Sequence, residues 1–349
     1  MGEDAQDKTV SKKLRLLVSV ALLGWLAWRT DWEQVGNAFL HLRLRFWFAA
    51  LGLFLLAQVA SSVRWRLLAQ PLGFRSPLRQ FVNFYFVGMF FNLLLPTSVG
   101  GDVVRACYLD GGSGRRLPAF LSVFVDRFSG LLVLLALACV ADIFCPIALP
   151  SWIGVSIWAT AGCALLGLLT LPVLARCVRA WESRSAEGGA PSARRSALRA
   201  LTLSLSGSFT LLFSHTRLLL TSTALSFLVQ LANVVLLWLI GQAIDAPVPA
   251  SYYGIVVPMV TLLTLLPVSL NGMGVREGGM VLFLAPLDIP SATALSLAFL
   301  WFSVFVVVSL LGAGIYLFGN LSPLGERAHD SFVDRDSDQG RARQPKAAA

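Results

Sequence analysis

Long apolar runs separated by short polar stretches recur along the whole chain. They lie at about Leu14 to Trp28, Phe46 to Ser62, Phe81 to Pro96, Pro118 to Ala141, Trp152 to Leu174, Leu218 to Ile244, Tyr252 to Leu270 and Ser291 to Phe318. Crossing about 30 Å of hydrocarbon takes about 20 helical residues. Because that layer offers no water to unpaired backbone groups, apolar runs of this length predict helices. The pattern is that of an all-α, polytopic membrane protein. Composition strengthens the reading: 56% of the 349 residues are hydrophobic and only 13% are charged, and the mean hydropathy is +0.72. A soluble enzyme is excluded.

The first run follows Lys12, Lys13 and Arg15 as a signal peptide would, but Trp28, Arg29 and Thr30 come next instead of small residues. It predicts an uncleaved first helix. The second run ends in Arg64, Trp65 and Arg66, an aromatic and two cations suited to a membrane interface.

The distribution of basic residues sets the expected topology. Residues 175–217 carry seven arginines, whereas residues 142–151, 245–254 and 286–291 contain no Lys or Arg. If Phe81 to Pro96 crossed the membrane, strict alternation would put the seven arginines outside, against the positive-inside rule. Its fifteen residues to Leu95 would reach only about 22 Å as a helix, and Pro96, Gly100 and Gly101 supply a break. The segment is therefore expected to turn back on the cytoplasmic side, and Tyr252 to Pro286 to form a second hairpin entering from the opposite face. About six spanning helices and two re-entrant hairpins follow, in the cell membrane, with both termini cytoplasmic. In domain terms, residues 1–11 are a cytoplasmic N-terminus and 12–320 the membrane domain, with hairpins at about 81–110 and 252–286. Residues 175–217 form a basic cytoplasmic loop and 321–349 a disordered tail.

The two hairpin tips resemble each other at an offset of 171 residues: Pro96 and Pro267, Ser98 and Ser269, Gly101 and Gly272, Val104 and Val275, Arg105 and Arg276 coincide. Opposed hairpins with similar tips predict an inverted repeat, a recurring transporter design. Each tip reads as a half-helix, a Pro/Gly turn and a second half-helix opening near Asp102 or Asn271, both good N-cap residues. Unpaired amides at such a start favour an anion, and Arg105 or Arg276 one turn on adds a fork suited to phosphate. A lipid phosphate site is thus expected from Arg105, Arg276, Ser98, Gly100, Gly101, Ser269, Asn271 and Gly272. The alternative is that each arginine pairs with a carboxylate, such as Asp102, Asp126 or Glu277, and locks its hairpin.

Asp126 and Arg127 lie about ten residues into their helix, or about 15 Å deep, where charge is costly. Adjacent residues on a helix point apart, so each needs a partner elsewhere. Asp102, Glu277, Arg105 and Arg276 are the candidates, and a proton-coupling role for Asp126 competes with an ion pair. Asn83 and Asn92 are candidate cavity-lining residues. Five scattered cysteines and three histidines in loops or the tail suggest no metal, and no cofactor is expected. The net charge of +9 reads as attraction to anionic headgroups, not to nucleic acid.

In order along the chain, Arg64-Trp65 with Leu67-Leu68, Gly88 with Phe90-Phe91-Asn92, Leu95-Pro96, Gly100-Gly101-Asp102 with Arg105, Asp126-Arg127, and Leu266-Pro267 with Gly272, Gly274 and Arg276-Glu277 resemble the flippase-like transmembrane region of lysylphosphatidylglycerol synthases and its stand-alone relatives. The resemblance extends over most of residues 12–320. It implies lipid handling, and in the full synthases this region resembles the part that moves modified lipid between leaflets. Only 31 residues follow Phe318, too few for the soluble lysyl-transfer domain, so synthase chemistry is not expected. The reading is translocation of an anionic lipid or lipid-linked precursor. Its rival is a membrane-embedded transferase, or an accessory subunit presenting lipid to a separate enzyme.

Overall fold

A computed structural model of the chain describes residues 32–95, 100–144, 150–185, 216–265 and 272–319, together with Gly24 and Ser269. Among the described residues the secondary structure is helical, without strands. The helices are α1 (Trp32–Leu40), α2 (Leu44–Ala69), α3 (Leu78–Leu94), α4 (Gly100–Asp110), α5 (Arg116–Phe144), α6 (Ser151–Ser185), α7 (Thr216–Ala243), α8 (Tyr253–Leu265), α9 (Val275–Leu284) and α10 (Ser291–Phe318). Five of these are long and apolar enough to cross a membrane: α2, α5, α6, α7 and α10. The 26 residues of α2 extend about 39 Å, ample for the hydrocarbon layer. Apart from Gly24, the expected first helix from Leu14 to Trp28 lies outside the described residues, as does the tail.

Two helix boundaries correct the sequence-based expectation. The second apolar run does not end at Ser62 with Arg64, Trp65 and Arg66 at an interface. Helix α2 continues to Ala69, and Arg64 and Trp65 are buried within it. The apolar face persists because Ser61, Trp65, Leu68 and Ala69, at helical spacing, are all buried too. Likewise, α6 runs on to Ser185, so the first part of the basic stretch at 175–217 is helix, not loop. The short α1, packed against α10, was not expected.

Loop contacts fix the direction of the elements. Helices α2 and α7 pack along each other; the Arg43 backbone N–H donates to the Ala243 carbonyl at 2.9 Å, and the Arg43 guanidinium pairs with Asp245 at 2.7 Å. The start of α2 therefore meets the end of α7, and the two run antiparallel. At the far end of α2, Arg115 donates to the carbonyls of Leu72 at 2.6 Å and Gly73 at 3.2 Å. Gly73 has φ +89°, and a Cβ there would strike that guanidinium. The loop after α2 thus meets the loop between α4 and α5, so α3 begins and α4 ends at one end of the bundle. At the opposite end the Tyr252 hydroxyl donates to the Phe283 carbonyl at 2.6 Å, joining the start of α8 to the end of α9. The α3/α4 and α8/α9 pairs are helical hairpins opening at opposite ends of the bundle.

Candidate functional site

The first hairpin closes on glycine. A Cβ on Gly101 would collide with the carbonyl oxygen of Gly88 and lie 2.7 Å from the Asn92 side chain, and one on Gly88 would lie 2.7 Å from Cδ of Arg105. Small residues let helix backbones approach in this way. The Gly101 N–H donates to Asn92 Oδ1 at 2.7 Å, so α3 satisfies one of the amides that the start of α4 leaves unpaired. Arg105 is carried one turn on, with 1% of its side chain exposed.

Five charged side chains from three elements meet beside this hairpin. Asp126 of α5, fully buried, accepts from Arg64 Nε at 2.8 Å through one oxygen and from Arg105 Nη2 at 3.2 Å through the other. Arg64, from α2, also donates to Ser226 Oγ of α7 at 3.0 Å. Asp102 of α4 receives Arg105 Nη1 at 3.3 Å and Arg127 Nε and Nη2 at 2.9 to 3.1 Å. The Arg105 guanidinium is flanked by the rings of Trp65 and Tyr85, 4.2 and 4.1 Å from their centroids, within the range of cation–π attraction. Trp65 is held in turn by its Nε1, which donates to Ser122 Oγ at 3.2 Å. These bonds tie the first hairpin to α2 and α5.

The second hairpin is organised differently. Arg276 pairs with its neighbour Glu277 and lies over the Phe302 ring of α10 at 4.3 Å. Glu277, buried, also accepts from the Gly274 N–H at 2.7 Å. Its carboxylate therefore both neutralises Arg276 and satisfies the start of α9. Ser269 is buried near this tip, with no hydrogen-bond partner for its hydroxyl among the described residues.

A family model for the lysylphosphatidylglycerol synthase TM region matches residues 13–312. The chain belongs to that family. No curated protein matches it. The matched region spans every element that builds the charged cluster, and membership carries a membrane lipid-related role.

Within this lysylphosphatidylglycerol synthase-type region, the residues singled out by sequence divide into groups. Arg105, Asp102, Asp126 and Arg127 come together in one network, while Gly101 bonds Asn92 at the start of α4 and Gly100 lies against Leu95. Arg276, Glu277, Ser269 and Gly272 belong to the other hairpin; Asn83 is half-buried on α3. Ser98 and Asn271 lie outside the described residues. Neither expected N-cap holds: α4 already begins at Gly100, which puts Asp102 inside its first turn, and α9 begins at Val275 behind Gly274, whose φ is +80°. A positive φ favours glycine over asparagine at that boundary. The Nη atoms of Arg105 are both engaged by carboxylates, and Arg276 Nη2 is engaged by Glu277. Among the described residues no group of His, Cys, Asp or Glu is placed to hold a metal ion.

Arg64 is the site residue that sequence reasoning misassigned, and Tyr85, Ser226 and Phe302 went unremarked. For Arg64 a signal existed. Asp126 needed a cation at a similar depth, and Arg64 lies three residues from Ser61 and four from Leu68, on the face that proves buried.

Proposed function

We propose that this chain moves an anionic lipid or lipid-linked precursor between the leaflets of the cell membrane. The observation that carries the reading is the cluster of Arg64, Arg105, Arg127, Asp102 and Asp126 at the first hairpin, deep within apolar helices. Charges at such depth are expensive and mark pathways or paired polar centres. Here they gather beside the first turns of α4, where an anionic headgroup would find guanidinium groups while its chains remain among the exposed apolar side chains of the helices. Opposed hairpins supply one such helix start from each face, as alternating access to a central site requires. In this reading the Asp126 ion pairs hold the first hairpin in place, and both termini are cytoplasmic.

Reconstitution of the purified protein in vesicles tests this reading against a transferase or a lipid-presenting subunit. A translocator moves labelled phosphatidylglycerol with no co-substrate or partner protein present. Movement that appears only when an enzyme or acyl donor is added overturns it.

A further inference from the structure

The five-membered cluster is not electrically balanced: three guanidinium groups face two carboxylates, leaving one positive charge. That charge has a definite place. Arg64 and Arg105 are buried and both pair with buried Asp126, whereas 48% of the Arg127 side chain is exposed against 16% of Asp102. Arg127 lies eleven residues into α5, or about 16 Å along its axis, and an uncompensated cation within a membrane-spanning helix is costly. Its bonds to Asp102 use Nε and Nη2, so Nη1 of the fork carries no bond to a described residue. One turn earlier on the same helix face, Phe124 is also exposed and stacks on Phe128 at 6.0 Å. A cation beside exposed aromatic surface is complementary to an anionic group attached to hydrocarbon.

We propose that the exposed half of Arg127 is the contact for a singly charged phosphodiester headgroup, and that Asp102 is the internal competitor for that guanidinium. The inference rests on the lipid-translocation reading for the direction of lipid movement, but the contact itself is separate from it. One phosphodiester neutralises the cluster. A phosphomonoester or diphosphate would overcharge it beside Asp102. Competition with Asp102 provides release: Arg105 Nη1 already reaches Asp102 at 3.3 Å, so the carboxylate keeps a partner when the headgroup takes Arg127 and returns to Arg127 when the headgroup leaves. Arg105, by contrast, is closed to a ligand by two carboxylates and two rings.

The test is retention of added lipid by the purified full chain in detergent, read by native mass spectrometry beside thermal unfolding. Phosphatidylglycerol, phosphatidic acid and inorganic phosphate serve as probes. Wild type should prefer phosphatidylglycerol to phosphatidic acid, and inorganic phosphate should not displace it. Arg127→Gln should weaken phosphatidylglycerol retention about tenfold, the worth of one charge-assisted hydrogen bond, and Arg127→Lys should weaken it less. Asp102→Asn should act in the opposite direction and tighten retention. Unchanged retention in Arg127→Gln overturns the contact, as does weakening by both Arg127→Gln and Asp102→Asn in step with lost thermal stability. Equal or tighter retention of phosphatidic acid overturns the single-charge assignment, and displacement by inorganic phosphate overturns the lipid source. Failure of the two readings is distinguishable. Wild type that retains phosphatidylglycerol through Arg127 but does not move it in vesicles refutes translocation alone. Movement that persists with unaltered retention in Arg127→Gln refutes the contact alone.

Discussion

Arg64 and Asp126 are 62 residues apart in sequence, yet their side chains meet at 2.8 Å in the interior of the helix bundle. Asp126 is the shared anion of two cations, since its other oxygen receives Arg105. Burying a carboxylate costs several kcal/mol unless geometry and charge compensate, and removing one partner exposes that cost.

Asp126→Asn should therefore be strongly destabilising, by about 3 to 5 kcal/mol, because it leaves two guanidinium groups facing a neutral amide. Thermal unfolding of the purified variant checks this. Asp142→Asn is the comparison: Asp142 accepts from Trp158 at 3.0 Å in an exposed position, and its loss should cost about 1 kcal/mol or less. A stable Asp126→Asn that had lost only a response to a pH gradient would instead assign Asp126 to proton coupling.

Arg105→Lys keeps the charge but loses the fork that reaches Asp102 and Asp126 together, and the planar group lying between Trp65 and Tyr85. The expected loss is about 1 to 3 kcal/mol. Stability and lipid movement should fall in parallel across Arg105→Lys and Arg105→Gln. A fully stable Arg105→Lys without lipid movement would instead make Arg105 a direct ligand contact.

At Gly101 and Gly312 the nearest obstacle to a side chain is the backbone of a neighbouring helix. Gly101→Ala puts a methyl into the Gly88 carbonyl, and Gly312→Ala puts one into the Phe86 carbonyl. Each should cost about 1 to 3 kcal/mol by forcing helices apart. Gly52→Ala and Gly314→Ala meet nothing within 4 Å and should be neutral or slightly stabilising. Size-exclusion profiles and unfolding temperatures of the four variants give the comparison.

Much of this architecture was legible because the hydrocarbon layer imposes simple rules. The apolar runs that form the long helices and the mid-helix charges at Asp126 and Arg127 could be read from residue type and spacing, whereas the far ends of α2 and α6 could not. Arg64 could be read only by combining its helical spacing from Ser61 and Leu68 with the demand of Asp126 for a cation. Arg64-Trp65-Arg66 by itself fits an interface as well as a buried pair, and the position of Asp126 decides between them. The Arg276–Glu277 pair falls under the carboxylate-pairing alternative; neighbours on a helix usually diverge, but these two meet at a helix start where Glu277 turns back to the Gly274 amide. Side-chain preference favours N-caps at Asp102 and Asn271, but Asp102 lies inside the first turn of α4, and α9 opens behind Gly274 with its positive φ.

The proposed topology rests on the basic residues. Reporter tags inserted at Ser183 and at Ala349 should both read cytoplasmic, and one at Ser151 external. An external signal at Ala349 would mean that Tyr253–Leu265 or Leu78–Leu94 spans, and the opposed-hairpin arrangement in the membrane would fall.

The central claim is that the chain itself carries lipid across the bilayer. Vesicles containing the purified protein and phosphatidylglycerol labelled in both leaflets, treated with a membrane-impermeant quencher, measure this directly. Quenching should extend to the inner-leaflet label with wild type and be slowed by Arg127→Gln under conditions where that variant is folded. Quenching confined to the outer leaflet, as in protein-free vesicles, would contradict the claim.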